Sequence, residues 1–219
     1  MTERISSQQF HESEGVEDWR VLYGRAIAYF ASGSFAKGVA LVDAIGALAD
    51  EANHHPDVDL RYGGVTVTLY THDIGGLSTR DLALAREIST VARDLDVPAD
   101  PSQTHRINIT IDAVNRAALI PFWRAVLGYR DDGDEDIEDP HGREPSIWFQ
   151  QMDEARPQRN RIHIDVAVPH EEAEERVAAA LAAGGHLVND SHAPSWWVLA
   201  DDEGNEACIA TWVGRWWEE

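Results

Sequence analysis

Apolar residues at Phe35, Val39, Val42, Ile45, Leu48 and Ala49 recur at steps of three and four, the spacing of one helix face. Ser34 stands just before them and predicts the start of that helix, since its hydroxyl can accept from an unpaired N–H of the first turn. Pro56 forces the end, because the residue before a proline is steered out of the α region. Val65, Val67 and Leu69 alternate with Thr66, Thr68 and Tyr70, a strand with one buried face, so Val58 to Tyr70 reads as two strands joined at Gly63-Gly64. Trp19 to Tyr23 and Arg25 to Ala31 predict an earlier pair turning at Gly24, behind a polar stretch over residues 1–18 that reads as a short helix or lead-in. Ser78-Thr79-Arg80-Asp81 is a capping box in its Asp form, opening a helix with Leu82, Ala85, Ile88, Ala92 and Leu95 on its apolar stripe. Two hairpins, each followed by a helix, predict an α+β fold: an antiparallel four-stranded sheet with helices on one side.

Val97-Pro98-Ala99-Asp100-Pro101 reads as a stiff polar connector, after which the pattern restarts, dividing the chain into domains at 1–97 and 104–219. Arg106 to Asp112 alternates Ile107, Ile109 and Ile111 with polar residues and predicts a strand. Ala117 to Leu127 reads as a helix closed by Gly128, Asp131 to Asp139 as a loop or hairpin tip, and Ser146 to Gln151 as a strand. The order then repeats. Arg161 to Val168 is a strand, Glu171 to Ala183 a helix ending at Gly184-Gly185, and His186–Val188, Trp196–Ala200 and Glu206–Thr211 short strands.

Composition narrows the function classes. The formal net charge is −21, spread over both halves, and such a surface repels phosphate backbones, which excludes nucleic acid as a partner. No apolar run approaches the eighteen or so residues of a membrane helix, and the polar start is no signal peptide, so no membrane partner is expected. A single cysteine, Cys208, allows no internal disulfide and fits a reducing cytoplasm.

Candidate chemistry concentrates between residues 50 and 81. His54, His55 and His72 stand near Asp50 and Asp81, and imidazole is the side chain that gives and takes protons near neutral pH. The hairpin between the two histidine sites brings His72 back beside His54 and His55. Asp50 lies one turn before His54, so the two share a face if the helix persists that far. His72 has the parity of the threonines and should oppose the apolar set, unless Thr71 begins a bulge. Asp81 also reads as a plain helix cap, Asp50 as a solvated carboxylate, and the paired histidines as a metal site lacking a third ligand.

The spacing itself is recognisable: Asp50, three residues, His54-His55-Pro56, five residues, Tyr62, nine residues, His72, eight residues, Asp81. With Gly75-Gly76-Leu77-Ser78 and the run after Asp81, Trp19 to Ile88 resembles the pterin-4a-carbinolamine dehydratase family. That resemblance implies the four-stranded fold, a pterin substrate, no cofactor, a homo-oligomer, and dehydration of a 4a-hydroxytetrahydropterin to a quinonoid dihydropterin. It implies His55 and His72 as the proton-handling residues, with His54 shaping the pocket or sharing the acid role. Asp81 and Asp50 complete the catalytic set, and Pro56, Tyr62 and Thr71 line the substrate. Asp50 stands where the family usually has Glu, one methylene longer.

The β-α-β-β-β pattern written twice, with Phe122 to Gly128, Asn160 to Asp165 and Asp202 to Glu206, is similar to the glyoxalase-like branch of the vicinal oxygen chelate superfamily, over about Thr104 to Trp212. The resemblance implies a paired βαβββ domain whose metal-binding members take ligands from the first, fourth, fifth and eighth strands. Those positions fall at Asn108, at Trp148 or Gln150, at His163 and at Cys208, and only His163 matches, so no metal is expected. Asp112, Asp165 and Glu206 substitute only on a shifted register. The five named positions remain candidates for a second small-ligand pocket, with core packing as the plainer reading of Trp148, Trp196 and Trp197. Two rival functions stay open: a binding or oligomerisation protein with a vestigial dehydratase site, and glyoxalase- or dioxygenase-type chemistry in the second half.

Overall fold

A computed structural model describes residues 3–117, 119, 120, 124, 129–154, 162–182, 184–200 and 206–214. The chain forms two compact units, one of residues 1–104 with 212–219 and one of residues 105–211.

The first unit runs α1 (Ser7–His11), β1 (Arg20–Leu22), β2 (Arg25–Phe30), α2 (Phe35–Ala52), β3 (Asp57–Leu60), β4 (Val65–Leu69) and α3 (Thr79–Asp94). Its four strands form an antiparallel sheet in the order β1-β2-β4-β3. Register sets Ala26 against Leu69, Ala28 against Val67 and Phe30 against Val65, so the alternating apolar residues of β2 and β4 make one continuous face. Leu41 and Ile45 of α2 and Leu84 and Ile88 of α3 pack with that face in a single core. Each such fully buried side chain contributes about 1.5–3 kcal/mol.

Two local expectations are corrected. The buried stripe of α2 is Gly38, Leu41, Ile45 and Ala49, while Phe35 and Val39 stand 51% and 46% exposed. The stripe is rotated because the helix lies against the sheet at Gly38, where a Cβ would come within 2.5 Å of Leu60 Cδ1. The helix also stops before Pro56 has any say. Asn53 adopts φ 46°, and the N–H of His54 returns to the carbonyl of Ala49 at 3.0 Å, a left-handed capping turn.

The segment read as a connector is docked. β1 pairs only with Arg25–Ile27, which leaves the backbone beyond it open. Pro98 O accepts from Ala31 N at 2.8 Å, Asp100 N donates to Tyr29 O at 2.8 Å, and Val97 is 1% exposed.

The second unit runs β5 (Arg106–Ala113), β6 (Arg130–Asp132), β7 (Asp136–Glu138), β8 (Ser146–Gln151), β9 (Ile162–Ala167), α4 (Ala173–Ala182), β10 (His186–Asn189), β11 (Trp196–Ala200) and β12 (Glu206–Ala210). Its eight strands form one sheet in the order β10-β11-β12-β9-β5-β8-β7-β6. β5 and β9 meet antiparallel at the centre, and each has a parallel partner outside it, β8 and β12. This is the twice-written arrangement of the glyoxalase-like fold. The acidic stretch from Asp131 is the β6–β7 hairpin. Most of the helix read over Ala117–Leu127, with the motif from Phe122 to Gly128, lies outside the described residues, as do Asn160, Arg161 and Asp202 to Asn205.

Candidate active site

The turn at Asn53 throws His54 and His55 off the end of α2 in different directions. His54 is buried, 7% exposed, and its Nε2 lies 2.8 Å from Asp81 Oδ1. Asp81 is the third residue of α3 and fully buried, at 0% exposure. Its second oxygen, Oδ2, accepts from Thr71 Oγ1 at 2.6 Å and from Ser78 N at 2.7 Å, with Ser78 Oγ 3.0 Å away. One carboxylate thus completes the capping box of α3 and ties the His54 segment to the residue just before His72. With Asp81 accepting, His54 donates to it through Nε2–H. The capping reading of Asp81 holds, and the same carboxylate also hydrogen-bonds His54.

His55 is exposed and hydrogen-bonds Asp50 through Nε2 at 3.0 Å. Asp50 therefore partners His55, not His54, because the left-handed turn at Asn53 breaks the helical repeat that would have aligned Asp50 with His54. Both side chains are mostly in solvent, where such a pair is worth about 0–1 kcal/mol, so it orients the imidazole loosely.

His72 heads a 3₁₀ turn, His72–Ile74, and is exposed. Strand parity does not reach it, since β4 ends at Leu69 and Thr71 pairs with Gly76 across a short loop. Its ring packs edge-on against Tyr70 with centroids 5.1 Å apart, and the Arg25 guanidinium covers Tyr70 at 4.0 Å. Arg80 donates to the carbonyl of Asn53, pinning the turn that carries His54 to the start of α3. Arg25, Tyr70 and Arg80 were not among the residues singled out from sequence, and no local pattern marks them.

Pro56 and Thr71 flank the same end of the β3–β4 hairpin, where Asp57 pairs with Thr68. Tyr62 sits at the other end, 78% exposed in the turn, roughly 13 Å away at the usual strand rise. Within one chain it is not brought together with the histidines.

In the second unit, register places all five sequence candidates on one face of the sheet. Thr110 pairs with both His163 and Trp148, Asn108 with Asp165, Asp112 with Gln150, and Asp165 with Cys208. Asn108 accepts from Ser146 Oγ at 2.8 Å and Trp148 Nε1 donates to Glu135 at 3.3 Å. Asp112 and Asp165 share this face with no change of register, contrary to the shift the sequence reading required of them. The two-residue repeat from His163 is the signal that could have found Asp165.

Comparison with known proteins agrees with both halves. The family profile described as pterin 4 alpha carbinolamine dehydratase matches residues 2–91, and the one described as a glyoxalase-like domain matches residues 108–210. A Nocardia farcinica protein named for pterin-4-alpha-carbinolamine dehydratase is 40% identical over 93 residues, 42% of this chain and 98% of its own. A Roseiflexus protein with the same name is 36% identical over 92 residues, 42% of this chain and 99% of its own. A crystal structure titled transcriptional coactivator/pterin dehydratase, from Brucella melitensis, is 23% identical over 41% of this chain and 98% of its own, with a TM-score of 0.39. The sequence relatives, not that overlay, carry the assignment. Through its first unit the chain belongs to the pterin-4a-carbinolamine dehydratase family, and that unit is fused to a glyoxalase-like domain.

Proposed function

We propose that the first unit removes water from a 4a-hydroxytetrahydropterin to give a quinonoid dihydropterin. The C4a–O bond breaks, the departing oxygen takes a proton, and a ring N–H gives one up. No electrons leave the substrate, so one donor and one acceptor of protons suffice. His55 and His72, both exposed, take these two roles, imidazole being the side chain suited to both giving and taking a proton in acid–base catalysis. His54 is held by Asp81 as a fixed wall of the pocket, and Pro56 and Thr71 set the spacing of the two histidine segments.

The observation that supports this reading best is the two-sided grip of Asp81, whose oxygens hold His54 and Thr71 and so join two histidine segments far apart in sequence. A structural cap alone needs only the Ser78 side of that carboxylate. The test is a dehydration assay with a synthetic 4a-hydroxytetrahydropterin and purified full-length protein. Wild type should exceed the buffer rate, and His55→Ala and His72→Ala should each lower kcat by about 10²–10⁴ with melting temperature unchanged. Wild-type turnover no faster than buffer overturns the proposal.

A further inference from the structure

The two histidines given the proton-handling roles are held in different ways. His55 has Asp50 beside it, whereas His72 leads a single 3₁₀ turn inside the loop from Thr71 to Gly76. That loop closes with a pair of backbone bonds, Thr71 N to Gly76 O at 2.9 Å and Gly76 N to Thr71 O at 3.4 Å. Inside it Gly75 N returns to His72 O at 3.2 Å, with Gly75 at φ 61°. One turn satisfies few of its own carbonyls, so those of Ile74 and Gly75 need donors from elsewhere.

Those donors come from near the start of the chain. Arg4 Nη2 donates to Ile74 O at 2.7 Å and to Gly75 O at 2.8 Å. On either side of Arg4, Ile5 N donates to Leu77 O at 3.0 Å and Thr79 N donates to Glu3 O at 3.0 Å. Residues 3–5 thus run antiparallel along residues 77–79, with Arg4 opposite Ser78. The segment is anchored beyond that point. Ile5 packs against the core of the first unit, and Ser6 and Gln9 form the capping box of α1, whose Phe10 is buried. Gly76 leaves room for the guanidinium, since a Cβ there would come within 2.9 Å of Arg4 Nη2. A cation on a firm base therefore sits on the two carbonyls that close the His72 turn, and a charged donor binds them more strongly than a neutral one.

We propose that Arg4 is a positioning residue for His72, its guanidinium fixing the 3₁₀ turn that presents this imidazole to the substrate. The proposal rests on the dehydratase reading of the His54, His55 and His72 site. Proton transfer needs its donor and acceptor within hydrogen-bond reach of the substrate, and a displacement of about 1 Å can cost about 10²-fold in rate. Tyr70 steadies the ring of His72, and Arg4 steadies the backbone that carries it. Arg4 is spent on the carbonyls of the loop, so its effect on dehydration passes through His72. Its planar head serves both carbonyls with less loss of freedom than an ammonium would. The site is thereby built from three stretches of chain, residues 3–5, 50–56 and 71–81, and the first of them supplies no group to the chemistry.

The test uses full-length protein. Arg4→Met keeps the aliphatic stem without the donors and should lower dehydration kcat about tenfold or more, with KM within about threefold, because the chemical step is affected and binding is not. Arg4→Lys keeps a cationic donor and should recover part of the loss. Gly76→Ala crowds the guanidinium while leaving Arg4 in the chain, and should lower kcat in the same direction. In the His72→Ala background, Arg4→Met should cost nothing further, whereas a residue needed only for folding would cost the same factor again. Independently of activity, the His72 ring signal in a ¹H–¹³C spectrum, assigned by its loss in His72→Ala, should move in Arg4→Met while the His54 signal stays. A moved His72 signal in a protein without turnover upholds the grip of Arg4 and fails the dehydratase reading instead. Wild-type kcat in Arg4→Met, full additivity with His72→Ala, or an unmoved His72 signal overturns the proposal.

Discussion

Thr71 Oγ1 donates to Asp81 Oδ2 at 2.6 Å, inside a core where Thr71 is 2% exposed and Asp81 0%. This bond lets a helix-capping carboxylate reach across to the loop that carries His72, while its other oxygen holds His54. Asp81→Asn replaces an acceptor by an NH₂ that faces a donor on one side or the other. Hydrogen bonds to charged groups contribute about 1.5–3 kcal/mol each, so the variant should lose at least about 2 kcal/mol of unfolding free energy. Dehydration kcat should fall with it, by about tenfold or more, measured at a temperature where the variant is fully folded. Urea denaturation and the pterin assay check the two effects separately, and a variant with wild-type stability contradicts the bond's importance.

Gly64 closes the β3–β4 turn where a Cβ would meet the carbonyl oxygen of Phe30 at 2.6 Å and the Tyr29 ring at 2.5 Å. The ring can swing away, but the Phe30 carbonyl is backbone of β2 and cannot. Gly64→Ala should therefore destabilise the first unit by about 1–3 kcal/mol. Gly63→Ala, whose Cβ would have only the Tyr29 hydroxyl at 3.5 Å, should cost less. Equal melting temperatures for the two variants would show that the sheet gives way more easily than this geometry allows.

Stability of the second unit should fall as pH rises from about 4 to about 7. Burial, and then the charges of Asp132, Glu135 and Glu138, push the Asp136 carboxyl from its ordinary 3.8 up to about 7. The folded unit therefore holds a proton that the unfolded chain releases. That contribution is complete below the unfolded value and is lost as pH passes through the folded one. Asp136→Asn keeps the shape without the titration. Its melting temperature should match wild type near pH 4 and exceed it near pH 8, as differential scanning calorimetry across this range would read. A wild-type profile that rises over the same window would contradict the shift.

A fragment ending at residue 104 should be more stable than one ending at residue 97, although both contain Asp50 to Asp81. The longer one keeps the Pro98–Ala31 and Asp100–Tyr29 backbone bonds. At about 0.5–1.5 kcal/mol each, their loss should lower the unfolding free energy by about 1–3 kcal/mol, visible as a shift in urea midpoint. Coincident midpoints would mean that residues 98–104 are a passive linker after all.

Local chemistry in the sequence determined most of the elements by itself. The Ser34 and Ser78 caps, the alternation of Val65, Val67 and Leu69, and the twice-written strand order after Arg106 all act within a few residues of themselves, so they could be read without the fold. The spacing from Asp50 to Asp81 likewise identified the family. Tertiary structure decided the rest. The apolar residues of α2 cover more than one face, and close approach at Gly38 selected which of them is buried. A single left-handed residue, Asn53, decided that Asp50 meets His55 while His54 turns inward to Asp81. Cys208 meets His163 and Asp165 only because β12 pairs parallel with β9 in one register. Backbone periodicity carries no information about which distant strand lies alongside, and a side chain's partners depend on that neighbour.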